Sequence, residues 1–315
     1  MIKFPVYDKK RNPYKYFFSK LIILFLFLFV SDFLIGNLLS YYYFNQKRGA
    51  DYLTTYSIDS TKADVLIFGS SRASHHYRPP IFENHLNLTC YNVGRDGSFL
   101  FYQYAVLKAV IKRYSPKIII LDFNDGEFSK DESNYDRISA LLPYYKTHPE
   151  MRSIIELKSP YEKLKLLSKI YPYNSSLLII AGGNAIFSKK KREDINGYVP
   201  LTRVWNDSIK SENPLVEYAI DTTKVKVYES FIRDCLSLKV KLYISCSPHF
   251  IKYTHKDYSI KLAEEIANRY NVKFFDHLQD SVFINNSELF ADPLHLNDKG
   301  ARLFSINIVD SILSN

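Results

Sequence analysis

The sequence predicts an α/β domain in three layers, with helices on both faces of a parallel sheet, behind one N-terminal membrane-spanning helix. Three observations predict it. Continuous apolar runs end in turn residues at 63–68 (ADVLIF), 117–123 (KIIILDF) and 238–246 (LKVKLYISC). Segments with apolar residues at helical spacing alternate with such runs along the chain. Residues 17–39 (FFSKLIILFLFLFVSDFLIGNLL) form one long apolar stretch near the N-terminus.

The runs at 63–68 and 117–123 lack polar alternation, which is the pattern of strands covered on both faces, and 238–246 reads as a further strand. Two shorter strands are expected at 89–93 (TCYNV), followed by Gly94 and Gly97, and at 272–275 (VKFF). Residues 99–114 place Tyr102, Ala105, Val106, Ala109, Val110 and Tyr114 on one helical face. Amphipathic helices are also expected at 258–270 and 299–313. Strands alternating with helices imply right-handed crossovers and hence a parallel sheet. The pattern lapses between about 130 and 225, where prolines and weak helical stretches such as 154–170 gather. This segment reads as an insertion that caps the site.

Residues 21–30 carry no polar side chain, and the whole stretch has the roughly 20 residues that a helix needs to cross a bilayer. Lys20 and Asp32 stand near its ends, and Tyr41, Tyr42, Tyr43 and Phe44 follow as an interfacial belt. Before it lie Lys3, Lys9, Lys10, Arg11 and Lys15; after it come only Lys47 and Arg48. That bias keeps the N-terminus cytoplasmic and sends the remainder across the membrane. A cleaved signal peptide fits less well, since no small-residue cleavage site follows Leu39. The expected organisation is a cytoplasmic basic segment at 1–16, an anchor at 17–40, a polar stalk at 41–62 and the main domain at 63–315.

The chain has 315 residues, 46% hydrophobic and 24% charged, the profile of a protein with a buried core rather than a disordered one. Its formal charge is +9, but much of the excess sits before the anchor and in the run Lys189, Lys190, Lys191 and Arg192. Membrane topology accounts for the first cluster and a solvated loop for the second. No nucleic-acid motif accompanies the charge, so nucleic acid is not an expected partner. Cys90, Cys235 and Cys246 show no metal spacing; Cys90 and Cys246 read as small buried apolar residues, with one disulfide as the alternative in an exported domain. A Gly-rich phosphate loop with its Lys and a helical HxxxH pair are both missing, so phosphoryl transfer and metal-dependent hydrolysis are not expected, and no cofactor is called for.

Four blocks carry possible chemistry. Gly69-Ser70-Ser71-Arg72 follows a buried strand, where a tight turn exposes a hydroxyl and a starting helix aims N–H groups at an anion. Taken alone, a Ser there is more often a helix cap. Asn92-Val93-Gly94-Arg95-Asp96-Gly97 follows the second strand, and Asp122-Phe123-Asn124-Asp125 the third. The glycines allow close backbone approach, and an Asn amide can donate to an oxyanion. Asp292-Pro293-Leu294-His295, near the C-terminus, lets a carboxylate reach back to an imidazole in the same turn, the task of the acid in a Ser-His-Asp triad. Asn297 then reads as the cap of the closing helix. Arg72, Arg95, His75 and His76 lie beside these blocks and read as exposed loop residues, with anion binding as the alternative.

Together the blocks resemble the SGNH/GDSL hydrolase superfamily, over roughly residues 63–125 and 238–313. The resemblance implies Ser71 as nucleophile, His295 and Asp292 as its base and acid, and Gly97 and Asn124 as oxyanion donors, with Gly94 the alternative to Gly97. It also implies a flavodoxin-like sheet. Two positions depart from the family pattern: Gly69-Ser70-Ser71 stands for the usual Gly-Asp-Ser, and Asp122 replaces the Gly of the third block. Gly-Ser-Ser behind an anchor is similar to membrane-bound D-alanine transfer and polysaccharide O-acetylation proteins. The expected function is a serine esterase or O-acyltransferase acting on acyl, chiefly acetyl, esters of extracytoplasmic glycans, with a membrane-bound acyltransferase as a possible partner. The competing reading is a catalytically inactive scaffold that keeps the fold.

Overall fold

A computed structural model describes residues 13–184, 194–205, 212–213 and 217–314. The basic positions Lys3, Lys9, Lys10 and Arg11 and the run Lys189–Arg192 lie outside the described residues.

Five parallel strands form the central sheet: β1 (Val65–Phe68), β2 (Cys90–Asn92), β3 (Ile118–Asp122), β4 (Lys241–Cys246) and β5 (Lys273–Asp276), in the order β2-β1-β3-β4-β5. This is the doubly wound order in which the chain first steps outward and then crosses back, so the C-terminal ends of β1 and β3 open a crevice. The register sets Phe68 beside Leu121 and Asp122 beside Ser245, which brings the turns after three strands to one edge.

The apolar runs divide by parity. Leu66, Phe68, Ile119, Leu121, Leu242 and Ile244 enter one buried cluster, while Val65, Ile67, Ile118, Ile120 and Tyr243 enter another. The first face is covered by α5 (Leu100–Arg113), α6 (Thr222–Ser237) and α7 (Tyr258–Arg269), and the second by α3 (Ser71–His76), α4 (Pro79–Leu86) and α8 (Asp298–Leu313). Three layers result, and all five expected strands are present. Each of the aliphatic side chains buried between the layers contributes on the order of 1.5–3 kcal/mol.

The N-terminal helix α1 runs Pro13–Phe44 and exposes large apolar side chains along most of its length, from Phe17 to Leu38. Residues 50–59 depart from the expected stalk. They form α2 (Ala50–Asp59), which packs on α5 through Thr54–Tyr102 (3.0 Å) and on the loop before it through Arg95–Asp51 (2.9 Å). Of its four buried positions, Asp51, Thr54 and Ser57 are polar and only Ile58 is apolar. Apolar periodicity therefore cannot reveal it.

The segment 130–184 does not lie over Ser71. Its short helical turns extend the first core with Ile138, Leu141, Tyr144, Met151, Ile155 and Tyr173, which meet α5 and Tyr43 at the end of α1. It reaches the surroundings of the site at Arg137, which faces Gly97, and at Ile179 and Gly183; the later stretch 194–205 approaches through Val199 N to Ser74 O (2.9 Å) and Trp205 N to Phe290 O (2.7 Å). The cysteines Cys90, Cys235 and Cys246 are buried and free.

Candidate active site

Strand β1 ends at Gly69, whose φ of +153° lies in a region that L side chains avoid. A Cβ there would stand 2.6 Å from Ala73 Cβ and 2.9 Å from Asp122 Cβ, so the turn requires glycine on steric grounds as well. Immediately after it α3 starts with Ser71. Ser70 occupies the N-cap position but its side chain makes no capping bond. The backbone N–H groups of this first turn are therefore open to another acceptor.

Ser71 Oγ stands 2.8 Å from His295 Nε2. His295 Nδ1 faces both oxygens of Asp292, at 2.9 and 3.1 Å. The loop that presents them is held at several points. Asp292 Oδ1 also accepts the N–H groups of Leu294 and His295, Phe290 pairs with Leu296 across the loop, and Phe250 N–H donates to Pro293 O. Asn297 Oδ1 accepts from Lys299 N and Gly300 N and caps α8. A carboxylate fixed by two backbone N–H groups cannot swing away, so Nδ1 carries the proton and Nε2 faces Ser71 as an acceptor.

Burial lowers the His295 pKa below its ordinary 6.5, and Asp292 offsets this only in part. The imidazole is therefore neutral at pH 7 and ready to accept a proton. A base at this position would have to be unprotonated, so an activity that depended on it would fall as pH drops through its pKa. A pH profile of kcat/KM is expected to show its acid limb below pH 6.5. A limb centred above 7 would contradict this assignment.

Asn124 does not stand free. Its Oδ1 accepts from Arg72 Nε (3.0 Å) and Nη2 (2.7 Å), and its Nδ2 donates to Glu127 Oε2 (3.3 Å). The Arg72 fork fixes which amide atom is oxygen and leaves Nδ2 one further hydrogen. Gly94 N–H donates to Asn92 Oδ1 (2.9 Å), so this donor is already engaged. Gly97 sits in a left-handed turn (φ +63°) facing Arg137, and among the described residues no hydrogen bond ties it to Ser71 or His295.

Of four neighbours expected on the surface, three (Arg72, His75 and His76) are buried and Arg95 is half-buried. Arg72 is 5% exposed, with Asp125 Oδ1 at 3.1 Å, and Arg95 pairs with Asp51 under α2. His76 is fully buried and neutral, its pKa pushed well down by burial, and its Nε2 accepts Leu296 N–H (2.9 Å). It thereby holds the backbone next to His295. His75 donates Nδ1–H to Val199 O (2.7 Å) and meets Asp96 Oδ2 through Nε2 (3.3 Å). Burial is the largest influence and opposes its charge, but the bond to Asp96, the charge of Asp96 and the bond to Val199 together raise its pKa.

Asp122, the departure in the third block, is buried where the family pattern has glycine. It accepts from Tyr77 OH (2.8 Å), Ser247 N (3.0 Å) and Ser247 Oγ (3.1 Å), tying the ends of β3 and β4 to α3. Burial raises its pKa, and Arg72 works against that rise. The sequence signal for this hub is weak. Arg72 and Asp122 become neighbours only once β1 and β3 are known to be adjacent.

A cavity of about 540 Å³ lies beside the site. Ser74, Gly94, Arg95 and Asp96 form its site-side wall, and Leu53, Tyr102, Ile179 and Gly183 are among the residues on its other walls. Ser71 and His295 are not among its lining residues.

A scan against protein-family models finds no match, and a search of curated proteins finds none. Solved structures with a similar fold include a Bacteroides fragilis protein assigned as an acylhydrolase, at 10% identity and TM-score 0.41, covering 83% of this chain and 93% of that one. They also include an acetyl xylan esterase, AlAXEase, at 13% identity and TM-score 0.39, covering 79% of this chain and 98% of that one.

Proposed function

We propose that the protein is a membrane-anchored serine esterase or O-acyltransferase that works through an acyl-enzyme on Ser71. One observation carries the reading: the chain Asp292–His295–Ser71, with 2.8 Å between the imidazole nitrogen and the hydroxyl. His295 Nε2 takes the Ser71 proton as Oγ attacks the ester carbonyl. The Ser71 N–H, the Gly97 N–H and the remaining Asn124 Nδ2 hydrogen receive the oxyanion, and one such donor is worth about 3 kcal/mol. The imidazolium, compensated by Asp292, then returns the proton to the leaving alkoxide. Water or a sugar hydroxyl, activated by the same His295, removes the acyl group.

Helix α1 supplies the anchor in this reading, with its N-terminus in the cytoplasm and the sheet domain outside, where acetylated cell-envelope glycans are the substrates. The buried Asp51–Arg95 pair and the contacts of Tyr43 join the end of this helix to the catalytic domain, so the site is held close to the bilayer. A membrane-bound acyltransferase that supplies the acyl group fits beside such an anchor.

The test is acetate release from an O-acetylated polysaccharide by the detergent-solubilised full chain. Release that depends on protein concentration, and transfer of labelled acetyl to a deacetylated acceptor, is the expected outcome. No release and no transfer from any acetylated glycan or small acetyl ester would favour a scaffold instead.

A further inference from the structure

We propose that residues 161–184 form a second membrane seat, lying in the outer leaflet beside α1, so that the catalytic domain sits on the bilayer rather than hanging from it. The inference rests on the reading of α1 as a membrane-spanning helix. It starts from Asp32, which stands fifteen residues beyond Phe17 and is the one charged residue of α1 beyond Lys20, among mostly exposed apolar side chains. At 1.5 Å per residue that separation is about 22 Å, and the hydrocarbon core is about 30 Å thick. With Phe17 at the inner boundary, Asp32 falls roughly 8 Å short of the outer one.

A carboxylate at that depth needs partners that water cannot supply. The protein provides three: Ser168 Oγ, Lys169 N (2.7 Å) and Ile170 N (3.2 Å). Close by, Gly36 allows the backbone of Lys169 to touch α1, where any Cβ would collide with it. Lys169 Nζ bonds Asn37 Oδ1 (3.0 Å) and lies over the Phe33 ring (4.7 Å). The loop 168–170 is thus fastened to the anchor at a level inside the bilayer, and the chain on either side of it must share that level.

Those flanking segments present apolar side chains outward. Leu164 is 66% exposed, Leu167 73% and Leu178 88%. The helix Leu177–Asn184 (LLIIAGGN) has no charged residue, buries only Ile180, and packs along α1. Tyr161, Lys163 and Lys165 stand among the leucines, the residue types that suit the headgroup level. The exposed apolar surface is therefore continuous with that of α1, which selects lipid as the occupant. The same helix lends Ile179, Gly182 and Gly183 to the cavity walled by Gly94–Asp96. Seating it places that cavity at the lipid–water boundary, within reach of a substrate presented there.

The test uses single substitutions to cysteine in the full chain reconstituted in phosphatidylcholine–phosphatidylglycerol nanodiscs. The three native cysteines are buried, and their silence reports folding. Leu164→Cys, Leu167→Cys and Leu178→Cys are each expected to react with a water-soluble maleimide at least tenfold more slowly than Glu265→Cys on the exposed side of α7. An NBD label at the same positions is expected to be quenched by doxyl lipids. Leu26→Cys in α1 separates the two readings. Protection at Leu26 with full labelling at 164, 167 and 178 overturns the seat while sparing the anchor, and is the outcome if a partner protein covers this face. Full labelling at Leu26 overturns both.

Discussion

Replacing Ser71 with Ala is expected to lower kcat for p-nitrophenyl acetate by 10⁴-fold or more in the detergent-solubilised full chain, with the fold intact. Ser71 is the first residue of α3, and its hydroxyl bonds only onward to His295. Losing it removes the nucleophile without disturbing the core. His295→Ala should cost nearly as much, because the hydroxyl is a poor nucleophile without its base. The double variant should be no worse than either single one, since residues that act as a unit give non-additive losses. Asp292→Ala should cost less, on the order of 10²–10⁴-fold, because the imidazole stays in place and loses its tautomer bias and charge compensation. A double variant whose loss equals the product of the single losses would mean that Ser71 and His295 act separately.

The largest stability effect is expected at Arg72. Its guanidinium is almost fully buried and bonds Asn124 Oδ1 twice and Asp125 Oδ1 once, with Asp122 close enough to feel its charge. Arg72→Met removes the cation that faces half-buried Asp125 and fully buried Asp122, and leaving a buried charge uncompensated typically costs about 3–5 kcal/mol. Lys should not rescue it, since a point charge cannot hold Nε and Nη2 against one amide oxygen. The effect should also reach kcat. Without the fork, Asn124 is free to turn its oxygen toward the substrate, and an oxyanion donor lost in this way costs about 10²–10³-fold. Urea unfolding of the full chain gives the first quantity and initial rates the second. A stability change below about 1 kcal/mol, or a Lys variant equal to wild type, would contradict the role assigned to the fork.

The sheet is legible in the sequence because four of its five strands are buried on both faces, the edge strand β5 being the exception. Runs such as Val65–Phe68 and Ile118–Asp122 have no polar interruption, and the helices between them keep a clean apolar stripe. The contact of Asp292 with His295 is legible for a local reason: three residues of separation close one turn. Features that depend on distant pairing are not. Helix α2 buries Asp51 and Thr54 against Arg95 and Tyr102, residues more than forty positions away, and so reads as a polar stalk. Arg72, His75 and His76 look like surface residues until their partners Asn124, Asp96 and Leu296 are brought beside them.

The same reasoning explains the segment 130–184. Its short helical turns have little periodicity of their own, and their apolar residues find partners on α5 and at the end of α1 rather than over the site. The expected cap reduces to the stretch around Val199 and Trp205, which is fastened to α3 and to the loop carrying His295. The glycine alternatives also separate on geometry. Gly94 serves the close approach of its loop to α3, and its N–H is taken by Asn92, which is why Gly97 is the donor we propose.

The account turns on Ser71 forming a covalent intermediate. The most direct measurement is mass spectrometry of the full chain after reaction with a fluorophosphonate, with the adduct located by peptide sequencing. The account predicts one phosphonyl group per chain on the peptide containing Ser71, formed faster above pH 6.5 than below it and absent from His295→Ala on the same timescale. An unmodified wild-type chain, or an adduct on any other residue, would contradict it.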